Sequence, residues 1–238
     1  MLKNLILSAA AAGIAAGLVT AALQHVTTTP IIIEAEKYEG GAADHDHAAA
    51  VATHDAAGAI AAQDTAAEEA WAPADGIERT FYTSLASIVM GAGFSLMLLG
   101  AMVLSGARID ARAGLGFGVA GFAALALAPA LGLPPEIPGS GAAELADRQL
   151  WWGFAAAATA GGLAALLLGR HVALQIAGVG LIALPHIVGA PHPAAYASSA
   201  PAELAGHFAA ASLVVTAVFW AVLGSASGAI YQRLARPA

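Results

Sequence analysis

The sequence predicts an all-α integral membrane protein, a bundle of six transmembrane helices, or of five if the first is cleaved as a signal peptide. Of its 238 residues, 59 % are hydrophobic and only 11 % are charged, whereas soluble domains carry about 25 % charged residues. The apolar residues form six segments, each near the ~20 residues that cross a hydrocarbon core. These segments cover residues 5–26, 82–105, 113–133, 151–169, 172–190 and 207–231.

The basic residues predict the orientation of the bundle, with the N-terminus and the C-terminus both in the cytoplasm. In that arrangement six lysines and arginines face inward and three face outward, as the positive-inside rule requires. The inward group is Lys3, Arg108, Arg112, Arg170, Arg233 and Arg236, and the outward group is Lys37, Arg79 and Arg148. The expected location is therefore the cytoplasmic (inner) membrane, which the chain crosses several times.

The chain divides into three parts. Residues 1–33 form the first transmembrane helix and its outer exit, residues 34–80 an acidic, alanine-rich and histidine-containing outer loop, and residues 81–238 a membrane bundle of five helices. The first helix is expected to be retained, because its apolar stretch exceeds the roughly 7–15 residues of a signal-peptide core. The outer loop has too few bulky apolar residues to form a core of its own.

Several function classes are excluded by residues and motifs that the sequence lacks. No cysteine is present, which rules out disulfides, thiolate metal sites and iron–sulfur clusters. There is also no Walker-type phosphate loop, no zinc-protease or esterase motif and no basic stripe for nucleic acid. We therefore expect neither an enzyme nor a nucleic-acid-binding protein.

The histidines point to a metal ion. Seven of the eight fall on the predicted outer side, and ionisable groups in or beside a span often mark ion pathways. Imidazole suits borderline divalent metals, and carboxylates can complete the coordination shell. For each histidine alone, the alternative is an interfacial side chain bonded to a carbonyl group. As a set, the predicted metal ligands are His25, His186, His192 and His207, together with Glu34 and Glu36.

A second group of potential ligands lies in the outer loop. Its alternation of aspartate and histidine attracts metal ions by composition, and the alternative is a solvated acidic tether. Because the loop lacks a rigid frame, the group would gather cations at the mouth rather than select among them. Its members are Asp44, His45, Asp46, His47, His54 and Asp55.

The end of the fifth apolar segment predicts where the ion crosses. Pro185, Pro191 and Pro193 follow one another closely there. Proline removes a backbone donor and frees a carbonyl group, and a helix broken in this way inside a membrane usually lines a cavity or is buried in protein. We therefore expect a break at Pro185 to line the path of the ion.

Two further patterns concern packing and charge. Gly13-xxx-Gly17 and Gly114-xxx-Gly118 are small-xxx-small patterns, which let membrane helices approach closely. We expect these glycines to be packing surfaces. At the start of the fourth span, Arg148 is expected to pair with Glu144.

Three stretches of the chain resemble motifs of the CbtA family. They are Gln24-His25 followed by Pro30 and Glu34-Ala-Glu-x-Tyr38-Glu39, Arg148-Gln-x-Trp151-Trp152 with Ala156-Ala-Ala-Thr-Ala-Gly161-Gly-Leu163, and Leu184-Pro-His186-x-x-Gly189-Ala-Pro191. The similarity covers nearly the whole chain outside the alanine-rich part of the outer loop. The resemblance implies a predicted cobalt transporter subunit that works with CbtB, a small single-span protein with a histidine-rich end. It carries over His25 and His186 as functional positions.

The expected function is that of a permease subunit for cobalt uptake, with Co²⁺ or Ni²⁺ as the transported ion and no permanently bound cofactor. The choice of cobalt over nickel rests on the resemblance alone, because ligand affinity does not separate these neighbouring metals. Two alternatives stay open: haem binding by paired histidines, and a non-transporting scaffold or metal chaperone for a partner permease. The expected partners are the lipid bilayer and a small histidine-rich subunit similar to CbtB.

Overall fold

The computed structural model describes residues 1–38, 73–74, 76–193 and 198–236 of the chain. In these residues there is one isolated bridge, between Ser140 and Ser198, and no strand. We number the helices α1 (Leu2–Val26), α2 (residues 28–38), α3 (Ile77–Leu104), α4 (Ala111–Ala130), α5 (Leu145–Leu168), α6 (Val172–Val188) and α7 (Ala202–Leu234). The prediction of an all-α membrane protein is confirmed.

Five of the described helices, α1, α3, α4, α5 and α7, are long and apolar enough to cross a membrane. The fifth predicted segment forms α6, which has 17 residues. At the usual rise, α6 is about 26 Å long, somewhat shorter than a hydrocarbon core of about 30 Å. α3, α5 and α7 begin several residues before the apolar segments predicted for them, because polar residues continue these helices beyond their apolar parts.

Helix α7 is the centre of the bundle. α1 packs along both α3 and α7, and α4 packs along α7. Asn4 Nδ2 donates a hydrogen bond of 3.0 Å to the carbonyl oxygen of Leu234, so α1 begins where α7 ends. The start of α1 and the end of α7 therefore lie at one end of the bundle. We call this the inner end and the opposite one the outer end, following the orientation that the basic residues predict.

Helix α6 stands apart from the centre. It packs against α5 and against none of the other long helices in the described part of the chain. The two helices touch at Gly162 and Gly178, where a Cβ on either glycine would crowd the carbonyl oxygen of the other. The α5–α6 hairpin is therefore attached to the side of the bundle, where α5 contacts α4.

Glycine allows direct backbone contact in the inner half of the bundle. A Cβ on Gly13 would overlap the backbone of Ala92 in α3, and a Cβ on Gly114 would overlap the carbonyl group of Gly224 in α7. Small residues at helix interfaces permit this approach in membranes. The packing role predicted for Gly13 and Gly114 is confirmed.

A buried hydrogen bond joins α3 to α7 in the same region. Ser95 and Ser227 are fully buried, and their hydroxyl oxygens lie 2.7 Å apart. Ser227 donates its proton to the carbonyl oxygen of Leu223, so the Ser95 hydroxyl is the donor to Ser227. The pair satisfies two polar groups where no lipid or water could do so.

Helix α4 changes its geometry in the half that approaches the outer end. Residues Ala123–Leu127 form a π-helical turn, and Pro129 follows it. π-helical turns are rare and often occur at functional sites. We therefore expect a cavity beside the irregular part of α4.

The predicted break in α6 at Pro185 is wrong. The helix continues through Pro185 to Val188 and ends at Gly189, which has a φ of +87°. The proline removes one hydrogen bond to the preceding turn. It lies in the last turn of α6, so little helix remains beyond it to be displaced.

The glycine contacts predict opposite effects for two neighbouring substitutions. Gly114→Ala should destabilise the protein by about 1–3 kcal/mol, the usual effect of overpacking, because its methyl group has no space beside Gly224. Gly116→Ala should have little effect, since nothing lies within 4 Å of a Cβ placed there. The measurement is the thermal unfolding midpoint in detergent. Equal midpoints for the two variants would contradict the described α4–α7 contact.

Candidate functional site

The three histidines predicted to share a metal ion lie on three different helices. His25 is in the last turn of α1 and His207 is near the start of α7, and both are exposed. His186 is in the last turn of α6 and is half-buried. Its ring packs edge-on against Trp151 of α5, with the ring centroids 6.1 Å apart. His186 is thus held by the α5–α6 hairpin.

The structure does not bring these histidines together as one site. Among the described residues, no three His, Asp or Glu side chains form a group that could hold a metal ion. The physical reason is the position of α6, which contacts α5 and neither α1 nor α7. His192 follows α6 and is exposed. A role for each histidine alone in ion capture stays a prediction.

The two carboxylates predicted as ligands are paired with basic side chains. After Thr27 the chain continues as α2 instead of folding back toward His25. Glu34 lies 2.5 Å from the Lys37 ammonium group, and this hydrogen bond, with the attraction between the charges, raises the pKa of Lys37. Glu36 accepts hydrogen bonds of 2.5 and 3.3 Å from the Arg79 guanidinium.

Helix α2 is held against the outer end of the bundle. Ile31 and Ala35 are buried in a cluster with Ile137 and Ala200. The bidentate pair of Glu36 with Arg79 ties the helix to the first turn of α3. The predicted gathering group (Asp44, His45, Asp46, His47, His54 and Asp55) lies outside the described residues.

A cavity lies between the central helices, and several uncharged polar side chains are on its lining. It has a volume of about 410 Å³ and is bordered by α1, α2, α3, α4, α5 and α7. We call it the central cavity. Its walls are mostly apolar and aromatic. The polar side chains on its lining are Thr20, Gln24, Thr28, Ser87, Ser212 and Thr216.

Helical spacing places these polar side chains on one side of their helices. Thr20 and Gln24 are four residues apart in α1, and Thr28 continues the spacing into α2. Ser212 and Thr216 repeat it in α7. Residues four apart lie on the same face of a helix, so two hydrophilic faces meet across the cavity.

Two polar atoms in the central cavity lack a partner among the described residues. They are Thr20 Oγ1 and Gln24 Oε1, and both are buried. The whole Thr20 residue is only 7 % exposed. An unsatisfied buried polar group costs about 1–3 kcal/mol. Both oxygens have almost no accessible surface, so they lie behind the lining of the cavity and do not contact its contents.

A second cavity adjoins the first and extends toward the outer end. It has a volume of about 440 Å³ and shares Leu125, Ala126, Trp152, Ser212 and Thr216 with the central cavity. We call it the outer cavity. The π-helical turn of α4 supplies the first two of these residues. Irregular backbone is tolerated inside a membrane where it lines a cavity, which accounts for the π-helical turn.

An ion pair lies on the wall of the outer cavity. Arg148 donates a hydrogen bond of 2.7 Å to Glu136, so the expected pairing with Glu144 is wrong. The segment between α4 and α5 brings Glu136 to Arg148, a contact that sequence proximity does not reveal. Arg148 Nε is buried and has no partner among the described residues. The mouth of the joined cavities is therefore polar.

Sequence reasoning missed the polar lining because it searched for ionisable side chains. Threonine and serine are common in membrane helices, where they often bond to a carbonyl of the preceding turn. The signal that could have found the lining is the four-residue spacing of Thr20 and Gln24 and of Ser212 and Thr216. The sequence indicated Gln24 only as part of the family motif that it forms with His25.

The chain matches a family model described as "Probable cobalt transporter subunit (CbtA)" over residues 2–232. The match covers nearly the whole chain and ends two residues before the end of α7. No curated protein and no solved structure matches the chain at a significant level.

The pairing of the two carboxylates predicts different stability effects. Glu36→Gln should lower the thermal unfolding midpoint by an amount equivalent to about 0.2–1 kcal/mol, as for other partly exposed ion pairs, because it weakens the link between α2 and α3. Glu34→Gln should have a smaller effect, since its partner lies on the same helix. A larger shift of the unfolding midpoint for Glu34→Gln than for Glu36→Gln would contradict the stabilising role of the pair between α2 and α3.

Proposed function

The chain belongs to the CbtA family of probable cobalt transporter subunits, and we propose that it provides the outward-facing half of a path for Co²⁺ uptake. The path runs from the outer cavity into the central cavity. The observation that carries this proposal is the set of six hydroxyl and amide side chains that α1, α2, α3 and α7 place on the lining of the central cavity. Polar side chains inside a membrane usually face a water-filled cavity or pair with one another, so their concentration on this lining supports a hydrated passage.

Ion capture takes place at the outer end. His25 is adjacent in sequence to Gln24, and His207 is adjacent to Phe208, and both of these neighbours line the central cavity. Both histidines are exposed at the outer end, where each could offer one weak ligand to an arriving ion. His186 and His192 would act from the α5–α6 hairpin. The aspartates and histidines of residues 44–55 would raise the local cation concentration.

The inner half of the bundle is closed in this conformation. Ala12, Leu98 and Leu223 belong to one buried cluster beyond the central cavity, and Ser95 bonds to Ser227 in the same region. Release of the ion inward therefore requires movement of α1 or α3 against α7. The glycine contact of α4 with α7 leaves few side chains in the way if α7 slides along α4.

The chain works as a subunit of a larger assembly in this proposal. A small histidine-rich membrane protein similar to CbtB is the proposed partner, and the inner membrane is the proposed location. The chain itself catalyses no reaction and holds no permanent cofactor. Its residues do not separate cobalt from nickel, because affinity does not discriminate these neighbouring metals strongly.

Uptake measurements test the path with a matched control. The double variant Thr20→Val/Gln24→Leu removes both unpartnered oxygens and should reduce initial Co²⁺ uptake about tenfold or more, which corresponds to a loss of about 1.4 kcal/mol. Thr159→Val is the control, because Thr159 Oγ1 is also buried without a described partner but lines neither cavity. Labelled cobalt uptake is measured in cells that carry the complete transport system, at matched expression.

The control should keep normal uptake. Normal uptake in the double variant would remove the central cavity from the path and would favour a scaffold role for the chain. A loss in the control equal to that in the double variant would show that any buried threonine is needed for folding, and would also contradict the proposal.

A further inference from the structure

We propose that Glu136 makes the outer cavity accessible to a cation by neutralising the positive charge of Arg148. This inference rests on the proposed function, because it concerns the sign of charge that the mouth of the path accepts. Glu136 is not among the predicted metal ligands and lies outside the family motifs of the sequence.

The two cavities have one acidic and one basic side chain on their described lining. These are Glu136 and Arg148, and both line the outer cavity. Arginine stays protonated in proteins, so without Glu136 the mouth would carry a fixed positive charge. Clefts with low-dielectric walls concentrate the field of such a charge. A divalent cation is repelled by it twice as strongly as a monovalent one.

The two side chains are close together and partly shielded from solvent. Arg148 Nη2 donates a hydrogen bond of 2.7 Å to Glu136 Oε2, and only 29 % and 30 % of the two side chains are exposed. Arg148 Nε is buried and has no partner among the described residues. Salt screens a partly buried charge less than an exposed one. The carboxylate of Glu136 is therefore the group that cancels the guanidinium charge.

The segment between α4 and α5 fixes the position of Glu136. Pro134 and Pro135 precede it and also line the outer cavity, and each proline restricts the backbone by fixing φ. Ile137 follows it and is buried in the cluster that contains Ile31 of α2. Glu136 is thus held between a stiff stretch of backbone and a buried side chain, beside Arg148.

Two other roles of the same pair predict different results. The pair could serve only to attach the α4–α5 segment to α5, or Glu136 could bind the ion directly. Glu136→Gln separates charge from shape, because glutamine has nearly the same size and keeps an oxygen that accepts a hydrogen bond from Arg148. Adding Arg148→Gln then removes the positive charge as well, without restoring either the ion pair or a carboxylate ligand.

Charged thiol reagents measure the electrostatic potential in the cavity. The chain has no cysteine, so Thr216→Cys places a single thiol on the lining of the outer cavity. The probes are a cationic and an anionic methanethiosulfonate of similar size, and the readout is the ratio of their reaction rates with the full chain in membranes. Glu136→Gln should lower the cationic-to-anionic ratio several-fold, and Arg148→Gln should raise it. Both substitutions together should return it close to that of Thr216→Cys alone.

Uptake of labelled Co²⁺ by the complete transport system is the second readout. Glu136→Gln should reduce initial uptake several-fold, and the addition of Arg148→Gln should restore most of it. The matched control is Glu144→Gln, which removes the same charge one turn before Arg148 on α5. Glu144 lines neither cavity, so this substitution should change the rate ratio and the uptake much less.

The outcomes separate this inference from the proposed path. An unchanged rate ratio in Glu136→Gln would overturn the inference. Uptake that stays low after removal of both charges would also overturn it, because that result assigns Glu136 to ion binding or to attachment of the segment. If Thr20→Val/Gln24→Leu reduces uptake but Glu136→Gln does not, the path stands and the role of Glu136 is wrong. Failure of Thr216→Cys to react with either reagent would overturn both proposals.

Discussion

Backbone contact through glycine in the inner half of the bundle is the constraint on which the other features depend. Gly13 brings α1 against α3, and Gly114 brings α4 against α7. Toward the outer end, the ring of Trp220 in α7 occupies the space beside Gly121 in α4. On the α1–α3 side the backbone contact continues at Gly17, which lies against Ile88. The central cavity lies beside Trp220, and the buried cluster that contains Leu98 and Leu223 lies on its inner side.

Polar side chains follow the same division. In the sealed half, the hydroxyl groups of Ser95 and Ser227 are hydrogen-bonded to each other, and their oxygens lie 2.7 Å apart. In the open half, Thr20 and Gln24 of α1 and Ser212 and Thr216 of α7 belong to the lining of the central cavity. A membrane interior offers no water to satisfy such groups.

Hydropathy and small-residue spacing were sufficient to predict the six apolar helices and the close packing at Gly13, Gly17, Gly114 and Gly118, but not the short helix α2, whose last residues were assigned to the outer loop. They could not predict which helices touch, because an apolar segment gives the depth of a residue in the membrane but not its position around the bundle. His25, His186 and His207 share a predicted depth, yet α6 lies beside α5 alone. The ion pair of Glu36 with Arg79 could not be predicted either, because Arg79 is 43 residues away in the sequence.

The most direct test of the central claim is whether the cavity is open to water from the outer side. The chain contains no cysteine, so a single introduced thiol can be labelled without background. Thr216→Cys, on the lining of both cavities, should react with a membrane-impermeant thiol reagent added to the outer side, and Ser95→Cys in the sealed half should not. Protection of Thr216→Cys from the reagent, or equal labelling at both positions, would contradict the account.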